Sequence, residues 1–82
     1  MVESQVKDIM DLLKELSDDN TVPRNVKTKL DTVSQALGDK TDISLRVNKA
    51  LSILEEISDD NNIQPYTRTQ VWNIISMLES LD

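Results

Sequence analysis

Two stretches of this chain offer the oxygen ligands that a hard cation needs: Asp18, Asp19 and Asn20, and then Asp59, Asp60, Asn61 and Asn62. Ca²⁺ and Mg²⁺ require several such oxygens at once, and a calcium loop of the EF-hand type alternates them around a Gly and closes on a Glu. Neither stretch has that spacing. Asp and Asn also turn a chain and end a helix, and that role accounts for both stretches. No metal ligand is assigned.

Other chemistry lacks its parts. The chain has no His and no Cys, which removes the usual general bases, catalytic triads, His-containing zinc sites and disulfides. Serines such as Ser17, Ser34 and Ser58 have no candidate base near them in sequence. Gly38 is the single glycine, so there is no Gly-rich loop to cradle a phosphate. No catalytic or cofactor-binding residue is assigned, and a non-enzymatic protein is expected.

Charge suggests one binding mode and argues against it. Arg24, Lys27, Lys29 and Lys40 make residues 23–40 net positive, and Arg68 repeats the position of Lys27 in the second half. Arg24, Lys27, Lys29 and Arg68 are therefore candidates for an accessory contact with RNA or a ribosomal surface. The whole chain nevertheless carries a net charge of -6, and four cations without interleaved aromatics are a thin footprint on a phosphate backbone. Pairing with acidic helices inside the molecule, or solvation, is the commoner fate of such cations. Nucleic acid is not the expected partner.

The stronger signal is apolar. Pro65–Leu81 holds the only Trp, and Val71, Ile74, Ile75, Leu78 and Leu81 fall on one helical face, with Trp72 and Met77 on opposite flanks. Its remaining strip is small and uncharged (Asn73, Ser76, Ser80), so this helix is expected to be enclosed on most of its circumference. Trp72 and Met77 either pack inside the monomer or, with Leu45 or Ile53 beside them, present a patch to another chain. Trp is over-represented at binding hot spots and two-fold homodimers are common, so a homo-oligomer or an unidentified protein partner is the expected ligand.

The elements that would position these residues are helices. Apolar positions recur every three or four residues, and one Gly and two Pro leave little punctuation for a sheet. The first helix is expected over Val2–Ser17, on the stripe Val6, Ile9, Leu13 and Leu16. Asn20 is then placed to take a left-handed turn. The second helix runs from Pro23 to Leu37 on Val26, Leu30, Val33 and Leu37, a narrow stripe that suggests the most peripheral helix. Gly38 stands where a C-terminal cap glycine belongs. Thr41 or Asp42 caps a third helix that continues to Ser58, and the fourth runs from Pro65 to Leu81. No apolar run is long enough to cross a bilayer, and the N-terminus lacks a signal-peptide pattern, so a cytoplasmic protein is expected.

A shift of about 41 residues, close to helix-pair repeat lengths, superposes the two halves. Val6 falls on Val47, Leu13 on Leu54 and Leu37 on Leu78, and Ser17–Asn20 falls on Ser58–Asn61 without a gap. The chain thus reads as a single domain, residues 1–82, of two duplicated helical hairpins, 2–37 and 42–81. These can close into an antiparallel four-helix bundle or stack like HEAT repeats. A two-unit stack leaves an apolar side open, which favours the bundle.

The segments LSILEEISDD (Leu51–Asp60) and YTRTQVWNIISMLES (Tyr66–Ser80) resemble a small uncharacterised archaeal protein family. VPRNVKTKL (Val22–Leu30) fits it more loosely, and Gln64–Pro65 departs from it, since the family tends to place Pro directly after the Ile. The resemblance implies a cytoplasmic, all-helical, bundle-like protein. It implies no activity and supplies no site residue.

Overall fold

The computed structural model describes residues 2–81. It contains four helices, α1 (Val2–Ser17), α2 (Arg24–Leu37), α3 (Ile43–Ser58) and α4 (Pro65–Glu79), and no strand among the described residues. Each helix buries a stripe of residues three and four apart: Val6, Ile9, Leu13 and Leu16 on α1, and Val26, Leu30, Val33, Ala36 and Leu37 on α2. The stripe is Ala50, Leu54 and Ile57 on α3, and Thr67, Val71, Ile74 and Leu78 on α4. These stripes meet in one aliphatic core. A helix of this length spans about 24 Å, and packed helices lie about 8–10 Å apart. The molecule measures 32 × 18 × 18 Å, one helix long and two wide.

The packing order fixes the architecture. α1 packs on α2, α2 on α3, α3 on α4, and α4 returns to α1; the backbones of the diagonal pairs do not adjoin. That closed ring is an antiparallel four-helix bundle. The HEAT-like stack is excluded, because stacking would lay α1 against α3 and α2 against α4.

Two expectations about individual helices are corrected. α2 is the best-embedded helix, not the most peripheral, and its seam with α3 is the most extensive in the molecule. A narrow stripe of Val and Ala lets neighbouring backbones come close, whereas its width says only how many apolar residues there are. α4, conversely, is not enclosed. Only α1 and α3 adjoin it, and Trp72, Asn73, Ser76 and Ser80 all face solvent. Its uncharged polar strip is a solvated face.

The SDDN turns repeat in detail. Asp19 Oδ1 accepts the Thr21 N–H at 2.8 Å, and Asp60 Oδ1 accepts the Asn62 N–H at 2.8 Å. The Asp19 and Asp60 amides bond back to Leu16 O and Ile57 O at 3.1 and 3.0 Å. Val22 and Ile63 then plug the core from below. Past the turns, Thr28 Oγ1 bonds to Arg24 O and Thr69 Oγ1 to Pro65 O. The acid of each turn is consumed by its own backbone, the helix-ending role that Asp and Asn ordinarily play.

Helix termini depart from expectation. No described residue has a positive φ, so neither Asn20 nor Gly38 takes the left-handed conformation. Gly38 sits at φ -85°, ψ -4°, and its N–H continues the helix by bonding to Ser34 O at 3.0 Å. Pro23 occupies the position before α2 rather than its first turn. Asp42 precedes α3 without a side-chain cap bond; its carbonyl instead takes the Leu45 and Arg46 amides, both at 3.1 Å. α4 ends at Glu79, two residues short of Leu81. Among the described residues, no helix is long and apolar enough to cross a membrane.

Candidate protein-association face

The flanks of α4 face two different neighbours. Gln70 and Tyr66 line a cleft with Leu12, Glu15 and Leu16 of α1 and Asp19 of the turn after it, and Met77 lines another with Gln5, Asp8 and Ile9. The opposite flank faces α3. There Arg68 Nη2 donates to Asp60 O at 2.8 Å, at the end of α3. Trp72 lies one turn beyond Arg68 on the same side, followed by half-buried Ile75. From α3, Ile43 and Val47 face the end of α4 at Leu81, and half-buried Leu51 continues that row one turn on. Trp72 is 54 % exposed. The outer trough between α3 and α4 therefore carries an apolar row built on Leu51, Ile75 and Trp72.

The first hairpin serves as an internal control. Met10, Lys14, Ser17, Asp31 and Ser34 line the corresponding trough between α1 and α2. The repeat register places Met10 on Leu51, Lys14 on Glu55, Ser17 on Ser58, Asp31 on Trp72 and Ser34 on Ile75. In hairpin 1 the trough is closed by a polar bond, Ser17 Oγ to Asp31 Oδ1 at 3.1 Å. In hairpin 2 the equivalent Ser58 hydroxyl turns back to Glu55 O at 2.9 Å, and Trp72 stands free of it. The same backbone thus folds with Asp or with Trp at this position.

The other residues expected beside Trp72 are elsewhere. Met77 faces α1. Ile53 lies on the α2 side of α3, two turns beyond Arg46, which reaches α2. Leu45, 61 % exposed, lies on the outward side of α3, away from the core. Trp72, Met77, Leu45 and Ile53 do not form one patch.

The four cations are also dispersed. Arg24 is exposed at the start of α2. Lys27 lies on the α1 flank, close enough to Asp19 to help hold its carboxyl below the usual carboxylate range. Bonds to Asp19 from the Thr21 amide and then the Thr21 hydroxyl are the larger causes of that depression. Lys29 sits on the opposite flank, the side from which Asn25 Nδ2 reaches Asp60 Oδ2 at 3.4 Å. Arg68 is committed to the Asp60 carbonyl.

Sequence reasoning missed Arg46. Its side chain is 12 % exposed, and Nη1 donates to Leu37 O at 3.1 Å while Nη2 meets Glu3 Oε1 at 2.9 Å. It thus supplies a cation where the α2 macrodipole is negative, at an orphan carbonyl. A signal was available: Lys27, Arg46 and Arg68 are each the fourth residue of the helix that follows a turn, the position from which a long side chain reaches back to the preceding helix end.

Comparison with known proteins gives one answer throughout. A family model described as "Uncharacterised protein family (UPF0147)" matches residues 1–81. An Archaeoglobus fulgidus UPF0147 protein is 33 % identical over 81 residues, 99 % of this chain and 93 % of that one. One from Sulfolobus acidocaldarius is 38 % identical over 80 residues, 96 % of this chain and 90 % of its own. Among solved structures, a UPF0147 protein of Thermoplasma acidophilum superposes with a TM-score of 0.92 at 35 % identity, covering 99 % of this chain and 96 % of that one. A protein of unknown function, MMP1188, superposes with a TM-score of 0.91 at 37 % identity, covering 95 % and 90 % of the two chains.

Proposed function

We propose that this chain, which belongs to the UPF0147 family, is a non-enzymatic, cytoplasmic protein-association module that binds through the outer trough between α3 and α4, with Trp72 as its anchor. The relatives are named for the family alone, so no activity passes to this chain from them. What carries the reading is the contrast between twin positions. A bundle of this design folds with a hydrogen-bonded Asp31 in one hairpin, so the fold itself asks for no Trp in the other. A large apolar side chain that is more than half exposed, and that folding does not require, is the kind of residue that dominates interfaces.

Of the four residues expected from the sequence, this reading keeps Trp72 alone and sets Leu51 and Ile75 beside it in place of Met77, Leu45 and Ile53. The accessory RNA-contacting reading has less support. Lys27 and Lys29 lie on opposite flanks of α2, and Arg68 is tied down at the Asp60 turn.

The test uses the intact protein and a Trp72→Asp variant, which installs the twin's residue, as paired baits in an archaeal lysate. A protein retained by the first and absent from the second, with both baits showing the same helical circular dichroism, is the expected result. Identical co-purifying sets would remove Trp72 as the anchor. Binding to RNA that weakens steeply with salt, and is untouched by Trp72→Asp, would transfer the function to the basic residues.

A further inference from the structure

The reading above leaves the occupant of the trough open, and charge decides its class. We infer that the occupant is a cationic amphipathic helix of another protein, an apolar stripe flanked by Lys or Arg; this rests on the association role proposed for Trp72. A trough between two antiparallel helices accepts a third helix whose residues at i, i+3, i+4 and i+7 meet its apolar row. Exposed carboxylates flank that row: Glu55 of α3, Asp59 just past its end, and Glu79 of α4. The cation beside it, Arg68, already donates to Asp60 O.

The surrounding field has the same sign. Hairpin 2 carries Asp42, Glu55, Glu56, Asp59, Asp60 and Glu79 against Arg46, Lys49 and Arg68, and Arg46 is offset by Glu3. A second copy of the chain would bring this acidic rim against itself, and like charges in opposition penalise such a pairing. A basic helix gains the same field as attraction and as faster encounter.

Two labelled synthetic peptides test this on the full chain. Both carry leucines at i, i+3, i+4 and i+7; one is otherwise Lys-rich and the other Glu-rich. The single Trp of the chain reports docking directly. Saturable binding of the Leu/Lys peptide, with a blue shift of Trp72 emission, is expected, and the Leu/Glu peptide should bind at least about tenfold more weakly. Trp72→Asp, followed by peptide anisotropy, should weaken Leu/Lys binding at least about tenfold. That variant adds a negative charge, so mere attraction of a polycation to an acidic protein would strengthen binding instead. Unchanged or tighter binding therefore overturns the inference.

If the variant unfolds, Ile75→Ser, the residue of the twin at Ser34, makes the same test. Equal binding of both peptides, lost in the variant, rejects the charge assignment and leaves the association role standing. If neither peptide binds and light scattering gives a dimer that Trp72→Asp dissociates, the occupant is a second copy and the inference fails while the role survives. If neither peptide binds and the chain is monomeric, the inference fails, and the association role fails with it only if the paired baits also retain identical sets.

Discussion

The two hairpins share a turn, a core stripe and a backbone bond pattern, and they differ where they are not needed by one another. Leu13 and Leu54, Leu30 and Val71, and Leu37 and Leu78 are buried in matching places. Across the outer troughs the match ends, with Asp31 bonded to Ser17 in one copy and Trp72 exposed in the other. The two inter-hairpin seams differ as well. Arg46 clamps α3 to the end of α2, but its twin is Gln5, which lines an open cleft at the thinner α1/α4 seam. The two hairpins thus match where the core is built and differ where it is not. The positions that differ are where function is to be sought.

The largest effect should come from breaking what the copies share. Leu13→Ala and Leu54→Ala each remove a fully buried side chain and should cost about 2–5 kcal/mol apiece in urea unfolding. For a domain whose total stability is on the order of 5–10 kcal/mol, either loss is severe. A marginal loss at Leu54 beside a severe one at Leu13 would mean that hairpin 2 is carried by hairpin 1, and the copies would not be equivalent.

The seams should separate more gently. Arg46→Gln, which gives α3 the residue of its twin, removes a charge-assisted bond to Leu37 O and should cost roughly 1.5–3 kcal/mol. The Glu3 partner is 73 % exposed, so little of that belongs to the ion pair. Gln5→Ala should stay within about 0.5 kcal/mol. Equal effects would show that the α1/α4 seam is held as firmly as its partner.

One substitution is expected to gain stability. Thr67 is 1 % exposed, and its twin is Val26. Thr67→Val keeps the shape and removes a buried hydroxyl, which should raise stability by about 1 kcal/mol. A loss of that size would mean that the Thr67 hydroxyl is bonded and structural.

The helices and the duplication were legible because both depend on spacing: Val6, Ile9, Leu13 and Leu16 mark a face, and SDDN marks a turn. The embedding of α2 was not, because a stripe of Val26, Leu30 and Val33 counts apolar residues without recording how closely neighbours approach. Arg46 escaped because its partners, Leu37 and Glu3, lie 9 and 43 residues away. Trp72 was half legible. Its type points to an interface, but a helical wheel does not say which flanks of two helices meet, and the packing scatters Met77, Leu45 and Ile53 away from it. The decisive sign, Asp31 at the twin position, was already present in the repeat register, since a place that accepts Asp is not core.

A small effect on stability is expected where the effect on binding is greatest. Trp72→Asp gives up the buried part of an indole, but Ser58 stands where Ser17 stands in hairpin 1, and its hydroxyl is held only by the Glu55 carbonyl of its own helix. Turning that hydroxyl to the new carboxylate would rebuild the Ser17–Asp31 bond of the first copy. Asp and Trp have similar helix propensities to within a few tenths of a kcal/mol. The net change should be less than about 1 kcal/mol in urea unfolding, and Trp72→Asp with Ser58→Ala should be less stable than Trp72→Asp alone. A loss of several kcal/mol would place the indole in the core's service and return Trp72 to structure, because a residue kept for a partner must be nearly free to remove.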